Sequence, residues 1–278
     1  MVFVIIGMIL IGLGIFLIFR RKRLQEDLTS YMISREATVA ELKAEFDEVS
    51  EGIGRGHYTQ IIALHGHIES PNPLKSELTR QDCVKYRTVV ERDWEEDYQE
   101  RTEQGDIVRR TRRGSDTVTH NEQEQPFYVN DGTGSIRVSP GGAEIDLVKV
   151  TERYEPVNYR QFSGPVSIGN LHLNLMQGLS SQRRLLGYRY QEWVLPVGRR
   201  VFIHGEVSDS GGELTFQKPG DPEKDEPYTI SLKSKSELIH STKQKLKTLL
   251  IFSVLSFIAG VVLIIIGLMQ SSTSVAPM

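Results

Sequence analysis

The sequence predicts a membrane-anchored α+β protein, predominantly β, in which an OB-like β-barrel with helical additions lies between two transmembrane helices. Three observations lead there. Uncharged apolar runs stand at both ends, Val2 to Phe19 and Leu249 to Met269. Between them, short alternating segments recur between Gly and Pro turns, the pattern of a sandwich or barrel. Ahead of the first strand, apolar residues at three-to-four spacing mark a helix.

Each apolar run is long enough to cross a hydrocarbon core of about 30 Å. Neither holds an ionisable side chain, which would cost about 2.5–3.5 kcal/mol at the bilayer centre. A cleaved signal peptide needs positive charge before its apolar stretch and a small-residue site after it. Here Arg20-Arg21-Lys22-Arg23 follow the run directly, so a retained anchor is expected. The spans are placed at 1–20 and 248–269, with a short tail at 270–278. Arg20, Arg21, Lys22, Arg23 and Arg35 follow the first span, and Lys233, Lys235, Lys243, Lys245 and Lys247 precede the second. The outer tails carry neither Lys nor Arg, so the positive-inside rule predicts a two-span cell-membrane protein with its middle segment in the cytoplasm. Gly7 and Gly14, and Gly260 and Gly267, lie two helical turns apart on single stripes. Ser256 with Gly260 adds a small-xxx-small pair. These faces suit packing of the spans on each other or on further copies, against the alternative of ordinary glycine abundance in membrane helices.

The segment between the spans, about 230 residues, is enough for one large or two small domains. The net charge of −3 exerts no global pull toward nucleic acid or anionic lipid. A single cysteine, Cys83, excludes an internal disulfide and the cysteine-rich zinc modules.

Residues 21–56 read as juxtamembrane amphipathic helices. Leu24, Leu28 and Tyr31 share one face. Thr38-Val39-Ala40-Glu41 reads as a capping box, and Val39, Leu42, Phe46, Val49 and Ile53 form a stripe that ends at Gly52 and Gly54. The β-rich domain follows at 57–240. Ile61 to Ile68 and Cys83 to Glu91 read as strands. The stretch 92–125 is a charged excursion, with Asp93-Trp94-Glu95-Glu96-Asp97 and Arg109-Arg110-Thr111-Arg112-Arg113 as opposite runs that can meet. In Phe127 to Pro140 the alternation after Asn130-Asp131-Gly132-Thr133-Gly134 predicts a hairpin turn rather than a phosphate loop, which would need a helix there. Residues 158 to 186 are expected to be helical in part. Tyr188 to Gly198, Val201 to Val207, Leu214 to Gln217 and Tyr228 to Leu232 complete the strands.

The stretches "ATVAEL", "LHGHIESPNPLKSELTRQDCVKYRTVVER", "PFYVNDGTGSIRVSP" with the following Gly142-Ala143-Glu144-Ile145-Asp146, and "GYRYQEWVLPVGRRVFIHGEV" occur in that order. Together they resemble the GIDE or BAM ("beside a membrane") domain of GIDE/MULAN-type membrane ubiquitin ligases, over about residues 38 to 240 and the flanking spans. In those ligases the resemblance implies a RING finger after the second span, with eight Cys and His ligands for two zinc ions. The residues after Met269 supply none. The expectation is therefore a RING-less, prokaryotic homologue, with no catalytic residue to carry over and ligase activity implied by the family alone.

Candidate sites are few. His65 and His67 share a strand face and are the weak candidates for a metal; with Cys83 they make an alternative metal or redox site. Cys83 itself reads better as a packed side chain. Glu192 beside Trp193, and Asp131 in its turn, read as structural. Arginines on the charged excursion are not the basic–aromatic groove of a nucleic-acid site, so no nucleic acid is expected, nor any cofactor. The expected partners are the lipid bilayer, an unidentified protein and further copies of the chain. The sequence thus predicts a non-catalytic membrane-associated scaffold or interaction module. The alternative is a component of ubiquitin-like transfer acting with a RING-bearing partner.

Overall fold

The computed structural model describes residues 2–102, 105–157, 166–168, 171–173, 183–220 and 226–273. In chain order the elements are α1 (Val2–Ile33), β1 (Arg35–Glu36), α2 (Val39–Ile53), β2 (Thr59–Glu69), β3 (Leu74–Lys75), β4 (Asp82–Arg101) and β5 (Ile107–Glu124). Then come β6 (Phe127–Asn130), β7 (Ser135–Val138), β8 (Glu144–Ile145), β9 (Val148–Pro156), β10 (Val166–Ile168) and β11 (Leu171–Leu173). The chain continues through β12 (Arg183–Pro196), β13 (Arg200–Ser208), β14 (Thr215–Gln217), β15 (Thr229–Ser231) and α3 (Lys235–Thr273).

Alternation places Ile62, Leu64 and Ile68 of β2, and Val201, Ile203 and Val207 of β13, in one core with Phe127, Val129, Ile136, Val138 and Phe216. The sheet that carries them runs β1-β2-β6-β7-β14-β13-β15-β8, and β2 also pairs with β13. That pairing closes β2, β6, β7, β14 and β13 into a five-stranded barrel, the strand number of the OB class. Only β7–β14 among the ring pairs is parallel. Helix α2 packs on this core through Val39 and Leu42, with Phe46 and Val49 partly buried against it. The last residue of the expected stripe, Ile53, is 66% exposed, because the helix ends there and Gly54 turns away at φ 91°.

The expected capping box is present, with Glu41 N–H donating to Thr38 Oγ1 at 3.3 Å and Thr38 N–H to Glu41 Oε2 at 2.8 Å. The hairpin turn completes it. Val39 N–H donates to Asp131 Oδ2 (2.8 Å) and Ala40 N–H to Thr133 Oγ1 (3.1 Å). The "NDGTG" turn is thus no phosphate cradle; it carries its own anion to a helix N-terminus. Burial alone would raise the Asp131 carboxyl, but bonds from Val39, Thr133 and Gly134 prevail and hold it below the usual range.

A second sheet, a half-barrel, runs β3-β4-β12-β9, with β5 also on β4. Its strands β4 and β12 feed Val84 and Leu195 into the barrel core. The charged stretch 92–125 holds the outer half of β4 and all of β5, paired antiparallel as a long hairpin. The helical expectation for 158–186 fails where it can be read: the chain is strand at 166–168, at 171–173 and from Arg183 onward. Leu185 and Tyr188 pack inward on either side of a bulge at Leu186, and at Gly187 any Cβ would meet the Tyr154 ring at 2.5 Å. Residues 158–165, 169–170 and 174–182 lie outside the described residues.

Helices α1 and α3 are both long and apolar enough to cross a membrane. At 32 and 39 residues each is longer than a hydrocarbon core requires and is unbroken along its length. There is no interruption at Arg20, and α3 begins at Lys235, thirteen residues before the expected span. The signal for that start is a second capping box, Ser234-Lys235-Ser236-Glu237, in which Ser234 N–H donates to Glu237 Oε2 at 2.8 Å and Glu237 N–H to Ser234 Oγ at 3.3 Å.

The turn–helix cap gives a direct test. Asp131→Ala should cost about 1–2 kcal/mol, lowering the thermal midpoint by roughly 2–4 °C per kcal/mol in a domain of this size. Asp131→Asn, which keeps an acceptor, should cost less. Wild-type unfolding by Asp131→Ala would show that the turn does not hold α2.

Candidate functional site at the helix–barrel junction

Three clefts open where the helices meet the barrel. One of about 580 Å³ borders Glu36, His65 and Lys235; one of about 630 Å³ lies between α1 and α3; one of about 660 Å³ adjoins Ser30 and Glu226. The last turns of α1 reach this junction because the helix runs on past its apolar run, bringing Leu28, Ser30 and Tyr31 into burial.

The centre of the junction is His204 on β13, fully buried. Its Nδ1–H donates to the Pro227 carbonyl at 2.8 Å, which leaves Nε2 facing Ser30 Oγ at 3.1 Å. The Ser30 hydroxyl donates to Glu226 Oε2 at 2.5 Å. Tyr31 stands edge-on to the imidazole, centroids 5.2 Å apart, and its hydroxyl is 2.8 Å from Thr229 Oγ1. Burial pushes that phenol up to about 12, only partly countered by the Thr229 bond. Burial likewise lowers the His204 pKa, against the bond to Pro227 and the charge of Glu226.

A serine oxygen beside an imidazole nitrogen is also the geometry of a nucleophile and its base. The chemistry does not follow here. The Ser30 proton is directed at a carboxylate, and Ser30 lies inside a continuous helix whose N–H groups are committed to intrahelical carbonyls. Among the described residues such a serine has no oxyanion donors beside it. Ser30 ties α1 to Glu226 and His204 ties β13 to Pro227, so both elements are fastened to the chain before β15. On the neighbouring side, Lys235 Nζ donates to the Ser34 carbonyl at 3.0 Å and pairs with Glu36 at 3.1 Å, fastening α3 to the same place.

The sequence-derived candidates are dispersed. His65 rests against Phe202, centroids 5.0 Å apart, with Glu36 at 3.9 Å. Its pKa is lowered, by burial first and also by Arg200 and Lys235, with Glu36 opposing. His67 is exposed on the same strand. Cys83 is in the other sheet, fully buried among Tyr86, Val194, Leu74 and Val150, and burial raises its thiol to about 11. Among the described residues no group of three His, Cys, Asp or Glu is placed to hold a metal. Glu192 is fully buried and holds a turn, accepting from Leu78 N–H (2.6 Å), Thr79 N–H (3.0 Å) and the Thr79 hydroxyl (2.6 Å).

The small residues of the spans meet across the helix pair. A Cβ on Gly7 would lie 2.7 Å from the Gly260 carbonyl oxygen, and one on Gly260 would lie 2.9 Å from that of Gly7. Gly14 faces Phe257, Gly267 faces Val4, and the Ser256 hydroxyl donates to the Leu10 carbonyl at 2.6 Å. Of the membrane-flanking basic residues, Arg20 and Lys245 line the interhelical cleft and Lys22 the cleft beside Ser30. Arg23, Lys243 and Lys247 are exposed, and Arg21 is half-buried.

Away from the junction, β4 and β5 continue past Arg183 of β12 as a two-stranded arm among the described residues. Opposite charges meet across it. Arg113 pairs with Glu95 at 2.7 Å and Arg112 with Glu96 at 2.7 Å, while Arg184 and Arg183 of β12 approach the same two acids from the other side. Arg183 also stacks on Trp94 at 3.8 Å. The Glu95 carboxyl is held below its ordinary range by Arg113 and then Arg184; that of Asp97 by Thr111 and then Arg109. Among the described residues β5 pairs with β4 alone, leaving its outer edge unpaired. Tyr98, Ile107 and Val108 are exposed near the tip.

The sequence profile of the GIDE family, described as E3 Ubiquitin ligase, matches residues 95–264. The E3 ubiquitin-protein ligase SPL1 of Arabidopsis thaliana is 29% identical over 170 residues, covering 57% of this chain and 43% of that protein. The chain thus spans less than half the length of that relative. No solved structure matches.

The junction predicts an acid-sensitive fold. A histidine whose folded pKa lies below its unfolded value of about 6.5 binds its proton more readily when unfolded. Its contribution is fully present above that unfolded value and is lost as pH falls toward the folded one. Both His204 and His65 have that sign, so unfolding temperature should fall between pH 7.5 and 5.5. His204→Phe should remove part of the slope and leave the His65 part. An unchanged slope would mean that His204 is not neutral in the fold.

Proposed function

The chain belongs to the GIDE family, and from that premise we propose that it is a two-span membrane scaffold whose β-rich domain docks a protein partner at the cytoplasmic face. The sidedness rests on ten basic residues flanking the spans on the domain side, with none in the outer tails. The observation that carries the docking role is the β4–β5 arm. Among the described residues it is two-stranded for five residues beyond Glu96, about 17 Å, β12 being described from Arg183, opposite that position. An unpaired edge offers backbone donors and acceptors to an added strand. Exposed Ile107 and Val108 near the tip add an apolar contact for such a strand.

A second reading follows from the family's description and from the plant relative's name. In it, the domain takes part in ubiquitin transfer with a RING supplied by a partner. A reconstituted transfer assay with a captured RING-bearing partner, with and without this protein, separates the two; acceleration favours transfer, and none favours scaffolding alone.

Crosslinking in native membranes followed by mass spectrometry tests the main reading. A partner joined through the arm should be recovered, and Ile107→Asp with Val108→Asp should cut its capture about tenfold, as removal of an apolar contact centre does. Recovery of the protein alone, or capture indifferent to the arm, would overturn the docking role.

A further inference from the structure

The cleft of about 630 Å³ between α1, α3 and the barrel opens where the apolar runs end. Arg20, which closes the run of α1, and Leu249, which starts that of α3, both line it. With the helices in a bilayer, this end of the cleft lies at the level of the headgroups. Lipid-facing apolar side chains of both helices, such as Phe16, Phe19, Leu250 and Phe252, are exposed just below it.

The cleft's charges balance in number. Arg20, Lys233 and Lys245 face Asp27, Glu144 and Asp146. By height, the membrane end holds Arg20 and Lys245, while the barrel end holds Glu144 and Asp146 with Lys233 alone against them. Arg20 and Lys245 stand closest to the spans. Asp27 is seven residues further along α1, about 10 Å of helix rise, and Glu144 and Asp146 come from the barrel above. A purely anionic headgroup would meet cations at the membrane and then acids beyond them. A ligand with phosphate at the membrane and positive charge beyond it matches both ends.

We propose that this cleft binds the headgroup of a phospholipid that carries a primary ammonium. The phosphate pairs with Arg20 and Lys245 near the bilayer surface, and the ammonium donates to the carboxylates of Glu144 and Asp146. A choline headgroup has the same charge order but no N–H to donate, so it binds less well. The site rests on the reading that both helices span a bilayer. It couples lipid composition to the junction, because Tyr31 and Thr229 of the hydrogen-bonded network line the same cleft.

The test uses the full chain in nanodiscs of mixed phosphatidylcholine, phosphatidylethanolamine and phosphatidylglycerol, with native mass spectrometry of the lipid retained after release. Incorporation is followed separately by size exclusion. Phosphatidylethanolamine should be retained about tenfold over phosphatidylcholine, the ratio expected for a charge-assisted bond. Glu144→Gln, at an exposed position, should erase that ratio while phospholipid remains bound. Arg20→Gln with Lys245→Gln should release phospholipid of every kind. Equal retention of the two zwitterionic lipids, or preference for phosphatidylglycerol, would overturn the proposal. Failure to enter nanodiscs would overturn the membrane reading, and this site with it.

Discussion

The two helices leave the barrel side by side, and the contact that permits it is backbone against backbone at Gly7 and Gly260. No side chain larger than hydrogen fits at either position without displacing the facing carbonyl. Inside a bilayer, where apolar burial does not drive association, close approach and dispersion must hold helices together. The Ser256 bond to the Leu10 carbonyl adds a polar tie at the same face. Because the helices are paired there, the chain's entry to the barrel at Ser34 and its exit at Ser234 are held close. The bonds from Lys235 to Ser34 and Glu36 are then a consequence of that geometry.

The domain settles its charge locally, which is why a net charge of −3 says so little about it. Helix α2 receives Asp131 and Glu41 at its N-terminus, and α3 receives Glu237. On the arm, Glu95 and Glu96 each sit between arginines from two strands. Single exposed pairs contribute little, but shared acids order both partners at once. The arm keeps its register through these pairs and through Trp94 laid over Gly114, where a Cβ would come within 2.4 Å of the indole.

Local patterns in the sequence foretold local structure. The Thr38–Glu41 capping box, the Asp-Gly hairpin and the alternation in β2, β4 and β13 each depend on residues within a few positions of one another. The closed barrel is also consistent with strand count and spacing. What stayed hidden is what joins distant residues. Nothing in "VFIHGEV" indicates that His204 meets Ser30, 174 positions away, and Ser30 itself lay in a stretch read only for its apolar face. The second capping box is legible in Ser234 and Glu237, but the lysines beside it fit a membrane flank equally well. The helical expectation around Leu186 failed because apolar neighbours such as Leu185 and Leu186 fit either period until Gly187 and the pairing with Trp94 decide between them.

The family match begins at residue 95 and ends at 264, which does not coincide with a unit that could fold. Residue 95 lies within β4, whose earlier half pairs with β12 from Val90↔Tyr190 to Cys83↔Pro196. Cutting there would expose the Tyr188 and Tyr190 side of β12. It would also remove β2, the strand that pairs with all nine residues of β13 and closes the barrel. Helix α2, which packs on the barrel core through Val39 and Leu42, would go with it. The physical unit therefore reaches back at least to Arg35, where β1 adds to β2, and its architecture requires the upstream strands even where sequence similarity does not register them.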